Sequence, residues 1–304
     1  MKRKVNLVGQ NTLTISLPIK WVGKNKIKKG DELEINEEGK ILTISSDNYP
    51  IKETKSLRLS IKDIFSQRTI TIPYIRGYNY LKINFDDIRM LEKIEETLEK
   101  TPGFEIVKQD ANYVEIKNIF GEDTEEFENV FERLYNVVLV GLQEISSELK
   151  SGDFKNTLLL EKLSRDSDKY DIFCRRMMYT KSYSDEIRNF SIYATLKNYE
   201  VIGDIFKEYY YFINKNKVPK SSELSNLIER LIYLIKYSHK IYYSKATPEH
   251  IIETKKKRDE FRTKYNEIFS GLKSKESIAV IGFINQLFYA INHISEETLY
   301  LNSE

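Results

Sequence analysis

The chain has one cysteine, Cys174, in 304 residues. A single thiol cannot close an intramolecular disulfide. It also excludes a cysteine-held metal, and it fits a reducing, cytoplasmic setting. Histidine is nearly as scarce: His239, His250 and His293 lie far apart. Thr247 and Ala290 stand three residues before His250 and His293, so neither offers the Glu-x-x-His pair that dimetal bundles use. No enzyme is expected, and any metal must be held mainly by carboxylates. Uninterrupted apolar runs are short. The longest, 137–142 and 278–284, fall far below the roughly 20 residues that span a bilayer, so no membrane insertion is expected. Met-Lys-Arg-Lys opens the chain without an apolar stretch behind it, which argues against a secretory signal. A surplus of one charge is missing too: 48 lysines and arginines against 46 acids leave +2.

The charge that exists is unevenly placed. The first thirty residues carry Lys2, Arg3, Lys4, Lys20, Lys24, Lys26, Lys28 and Lys29 and no acid. Such a segment is an electrostatic footprint for a polyanion, because each cation at a phosphate releases a condensed counterion. Lysine positions a protein on a backbone more than it reads bases, so modest sequence specificity is expected. A solvated basic face with no partner is the plainer alternative.

Proline is equally uneven. Four of the six prolines and most of the glycines fall in the first 121 residues, and the remainder reads as long helices. Residues 4–8 and 12–17 alternate like two short strands across the turn Gly9-Gln10-Asn11. Pro18 suits the start of a helix of one or two turns over 20–25. Residues 32–35 and 40–44 form a plausible second hairpin. A segment of this size buries little alone, so a dimeric core is expected.

The matching residues Gly9, Thr12-Leu13-Thr14-Ile15-Ser16-Leu17-Pro18, Trp21 and Lys29-Gly30-Asp31-Glu32-Leu33 resemble the AbrB/SpoVT family of DNA-binding domains over 3–46. The resemblance implies a swapped-hairpin β-barrel built by a homodimer, with its basic face on double-stranded DNA. The expected DNA-binding residues are Lys2, Arg3, Lys4, Lys20, Lys24, Lys26 and Lys28. Related domains also occur as antitoxins that hold a toxin.

Three domains are expected: 1–48, an α+β linker or dimerisation module at 49–121, and an all-α domain at 122–304. In the middle module, 57–61, 80–85, 104–107 and 113–116 read as strands and 87–100 as a helix. Thr69-Ile70-Thr71-Ile72 reads as a strand or a helix edge. Candidate helices of the last part are 123–150, 154–180, 182–214, 220–244, 248–270 and 275–302, in two faint sets of three.

Asp168 and Asp171 at i, i+3, with Glu200 and Asp204 at i, i+4, would set four carboxylates on facing helices. Four such charges repel unless a cation sits between them. Glu200-Val201-Ile202-Gly203-Asp204 and Asp168-Lys169-Tyr170-Asp171 resemble the acidic signatures of PhoU, a regulator of phosphate uptake, over 124–302. That resemblance implies a pair of three-helix bundles and a divalent or ferric metal on these four residues. In the second set Phe288 and Asn292 replace the acids, so a second site is not expected. With 46 acids, such pairs also arise by chance on solvated faces. An AbrB-like front end with a PhoU-like bundle resembles an archaeal architecture of phosphate uptake regulators. Three functions stay open. The first is a DNA-binding regulator of phosphate homeostasis. The second is an adaptor that binds a phosphate transporter or signalling protein without touching DNA. The third is a carboxylate metalloenzyme.

Overall fold

The computed structural model describes residues 2–9, 12–38, 41–46, 56–61, 65–119, 125–154, 157–180 and 186–302. The chain divides into two compact units, Met1–Lys55 and Ser56–Glu304.

The first unit holds two separate antiparallel hairpins and a short helix. Strands β1 (Val5–Val8) and β2 (Thr12–Ile15) pair with Leu7 opposite Leu13 and Val5 opposite Ile15. Helix α1 (Ile19–Lys24) follows Pro18 and ends where Lys26 takes φ 54°. Strands β3 (Leu33–Glu38) and β4 (Ile41–Ser46) pair with Ile35 opposite Ile44. The expected barrel is not closed: among the described residues one chain supplies two two-stranded sheets. None of its described residues is buried.

The second unit opens with a four-stranded sheet of order β5-β6-β8-β7. Its strands are β5 (Ser56–Ile61), β6 (Tyr80–Phe85), β7 (Phe104–Asp110) and β8 (Tyr113–Asn118). β5 and β6 run parallel, so the link between them must cross over, and α2 (Arg68–Ile75) makes that crossover. The alternation at 69–72 is thus helical, not extended. A strand would put Ile70 and Ile72 on one face. The helix buries Ile70 and Tyr74, one turn apart, and leaves Ile72 half exposed. Helix α3 (Arg89–Leu98) adds Met90 and Ile94 to the same core, beside Leu81, Ile83, Phe85, Phe104, Val114 and Ile116.

Six long helices follow: α4 (Glu125–Ser151), α5 (Thr157–Thr180), α6 (Glu186–Lys215), α7 (Ser222–Tyr242), α8 (Pro248–Gly271) and α9 (Lys275–Asn302). α4 packs on α5 and α7, α6 on α5 and α9, and α7 on α9. Close approach explains one glycine: a Cβ at Gly141 would stand 2.2 Å from the ring of Phe206. α8 lies on α7 and α9 and buries only Thr254, Phe261 and Ile268, one residue every second turn. By length and composition, residues Lys275–Leu301 of α9 could cross a membrane. The sequence expectation rested on uninterrupted runs, and here scattered polar residues dilute a longer apolar stretch. In this structure Val280, Ile281, Ile284, Leu287, Phe288 and Ile291 of α9 are buried in the bundle core.

The sheet is joined to the bundle through α5. Ile172 packs on the sheet core. Arg176, 2% exposed, donates from Nη1 to the carbonyls of Tyr74 (2.6 Å) and Tyr78 (3.0 Å), and from Nη2 to Asn79 Oδ1 (2.5 Å). Its guanidinium also lies 4.7 Å from the Tyr74 ring centroid. The buried cation is thus held by carbonyl dipoles and an aromatic face.

Candidate nucleic-acid interface and an acidic cluster

The basic residues of the first unit are displayed by specific local structure. Lys2, Arg3 and Lys4 lead into β1 and are exposed. Lys20 and Lys24 stand one turn apart on α1, so they share a face. Asn25 Nδ2 donates to the carbonyl of Trp21 (2.8 Å) and closes the helix. Asp31 then accepts from the backbone N–H of Lys28 (2.7 Å), and Gly30 sits at φ 98°. The Lys-Gly-Asp sequence is therefore a built turn: glycine supplies the left-handed residue and aspartate caps it. Lys24, Lys26 and Lys28 are all exposed, and none of the seven expected DNA-binding residues makes an ion pair among the described residues.

The same unit exposes an apolar surface. On β1 and β2 the residues Val5, Leu7, Leu13 and Ile15 share one face. Leu7 is 64% and Leu13 68% exposed, and Val5 and Ile15 are also in solvent. On the second hairpin Ile35 and Leu42 are exposed too. A two-stranded ribbon with a bare apolar face is marginal in water.

In the second unit, the four carboxylates expected to hold a metal meet cations of the protein. Asp171, 3% exposed, accepts from Arg175 Nε (2.9 Å) and pairs with its Nη2 (2.9 Å). Arg175 Nη2 also lies 3.8 Å from Glu200, which pairs with Lys197 as well. Lys100, just past α3, donates to Asp168 (2.7 Å) and so links the sheet module to α5. Burial pushes the Asp171 carboxyl up to about 7 against the pull of Arg175. Burial also raises Asp204, helped by the charges of Asp168 and Glu200. The four acids are thus neighbours, but guanidinium and ammonium groups supply the neutralising charge. Among the described residues no three His, Cys, Asp or Glu side chains are arranged to hold a metal ion. In this arrangement the donor set does not fit one. The sequence carried the signal for Arg175, which stands four residues after Asp171 on the same helix.

Phe288 stacks on Phe261 at 4.2 Å, and Asn292 donates to Glu296 (3.0 Å). Cys174 is buried, and His293 is an exposed residue beside Glu296. His250 accepts from the backbone N–H of Thr247 (3.1 Å) at the start of α8.

Residues 8–55 match the family described as "Antidote-toxin recognition MazE, bacterial antitoxin". The match lies in the first unit and supports the AbrB-like reading of that part. No curated protein and no solved structure matches the chain.

Proposed function

We propose that the chain is a cytoplasmic, homodimeric DNA-binding regulator that grips double-stranded DNA through its first unit. The observation that carries this is the pairing, in one small unit, of bare apolar hairpin faces with a set of exposed cations that make no ion pair among the described residues. The apolar faces need a second copy, which would complete a swapped-hairpin barrel. Each leucine or valine buried there contributes about 1.5–3 kcal/mol. The cations need a polyanion. The antitoxin match supports the same assignment for residues 8–55.

The helical part is a sensor or partner-binding domain of PhoU-like design, linked to phosphate uptake, and no catalysis is assigned to it. What supports this is the run of six long helices, with the acidic cluster between the second and third. A ligand there regulates DNA affinity only if it distinguishes two conformations. The match to a family of toxin-recognising antitoxins favours a second reading, in which the first unit holds a toxin protein.

Fluorescence anisotropy on duplex DNA from phosphate-transport promoters, across salt, tests the proposal. Five phosphate contacts give a log–log salt slope of about −4.5. Changing Lys2, Arg3, Lys4, Lys24 and Lys26 to Ala should abolish most of that slope. No binding at low salt would refute DNA binding and favour a toxin or an adaptor role.

A further inference from the structure

Near the end of α4, Glu148 is sealed inside the bundle. It is 2% exposed, and neither carboxyl oxygen has a hydrogen-bond partner. Tyr209 of α6, 1% exposed, has an unbonded hydroxyl and lies close enough for the Glu148 charge to act on it. Fully buried polar atoms without partners are rare, because each forfeits its hydration. No lysine, arginine or histidine pairs with Glu148 among the described residues.

The groups facing it make a charge there still less favourable. Glu144 on α4 and Asp153 in the turn beyond both oppose a second negative charge. On α7, Glu229 is engaged by Ser146, from which it accepts (2.6 Å), and Lys220, just before α7, lays its stem against Gly152 without pairing to Glu148. Phe283 of α9 packs edge-on to Tyr209 and carries no charge. Burial first, then Glu144 and Asp153, raises the Glu148 carboxyl to about 8.

This end of α4 is also a joint. The N–H of Gly152 donates to the carbonyl of Glu148 (2.8 Å). The N–H of Ser221 donates to the carbonyl of Leu149 (2.8 Å), and Ser221 caps α7 by accepting from Leu224 N–H (3.2 Å). The last turn of α4 therefore holds the start of α7.

We propose that Glu148 is a proton-held latch: its neutral carboxyl keeps the joint of α4, α6 and α7 shut, and loss of the proton opens it. In an opened joint the carboxyl meets water and titrates in its ordinary range. Between that range and about 8, the closed form keeps a proton that the open form has lost. Opening therefore becomes easier as pH rises through this window and stops changing above it.

Hydrogen exchange of the full chain, corrected for intrinsic pH dependence, tests the latch on amides 144–151 and 209–213. Protection should fall about tenfold per pH unit from 5.5 to 7.5, the change expected for one proton. Glu148→Gln keeps the shape without the proton and should flatten that dependence. Parallel profiles for the two proteins would overturn the latch. If the Gln variant does not fold, the wild type alone decides. A fall confined to this joint supports the latch, and protection there that is flat with pH overturns it.

Discussion

The two units handle apolar side chains in opposite ways. In Met1–Lys55 no described residue is buried, and Leu7 and Leu13 face solvent across a hairpin. In Ser56–Glu304 the equivalent leucines, such as Leu134, Leu196 and Leu231, are fully enclosed. Similar residues thus serve two ends. The second unit encloses its own apolar side chains, and the first leaves apolar hairpin faces in solvent, which the proposed dimer would cover. Its cations follow the same logic: Lys2, Arg3, Lys4, Lys20, Lys24, Lys26 and Lys28 are exposed and make no ion pair among the described residues, while in the second unit Arg175 and Lys100 meet internal acids.

The sharpest way to break this contrast is to poison the hairpin. Leu7→Lys with Leu13→Lys should remove several kcal/mol of dimer contact, since each buried leucine contributes about 1.5–3 kcal/mol. Light scattering should then report half the wild-type mass at micromolar concentration, while thermal unfolding of the bundle stays unchanged. A wild-type chain that is already monomeric would end the account of the first unit.

A smaller effect tests the self-sufficiency of the second unit. Arg176→Ala removes the three hydrogen bonds to the carbonyls of Tyr74 and Tyr78 and to Asn79 Oδ1, and it removes the guanidinium over the Tyr74 ring. Urea denaturation should show a loss of about 3–4 kcal/mol. Gly141→Ala comes next: the added methyl meets the Phe206 ring, and overpacking should cost about 1–3 kcal/mol. Ser221→Ala removes only the cap of α7 and should cost about 1 kcal/mol by the same assay.

Much of the local structure was legible in the sequence, because period and punctuation are local. The six long helices and the hairpins lie where spacing and turns put them. What escaped depended on distant partners. Thr69-Ile70-Thr71-Ile72 reads as a strand or a helix edge, and the sheet beneath it, by taking Ile70 and Tyr74 together, decides for the helix. Arg176 looks like one more surface base, because the carbonyls that hold it are about a hundred positions away. Glu148, in Ser147-Glu148-Leu149-Lys150, looks solvated until the rotation of α4 turns it inward. Spacing and resemblance placed the acidic residues on two helices, α5 and α6. Their counter-ions were missed because the repulsion among four acids was weighed without Arg175, Lys197 and Lys100.

The most direct test of the central claim is the stoichiometry of the full chain on duplex DNA, measured by sedimentation at low salt. The account predicts two chains per duplex, with the Leu7→Lys, Leu13→Lys variant failing to bind at the same concentration. One chain per duplex, or a monomeric variant that binds as tightly as the wild type, would contradict it.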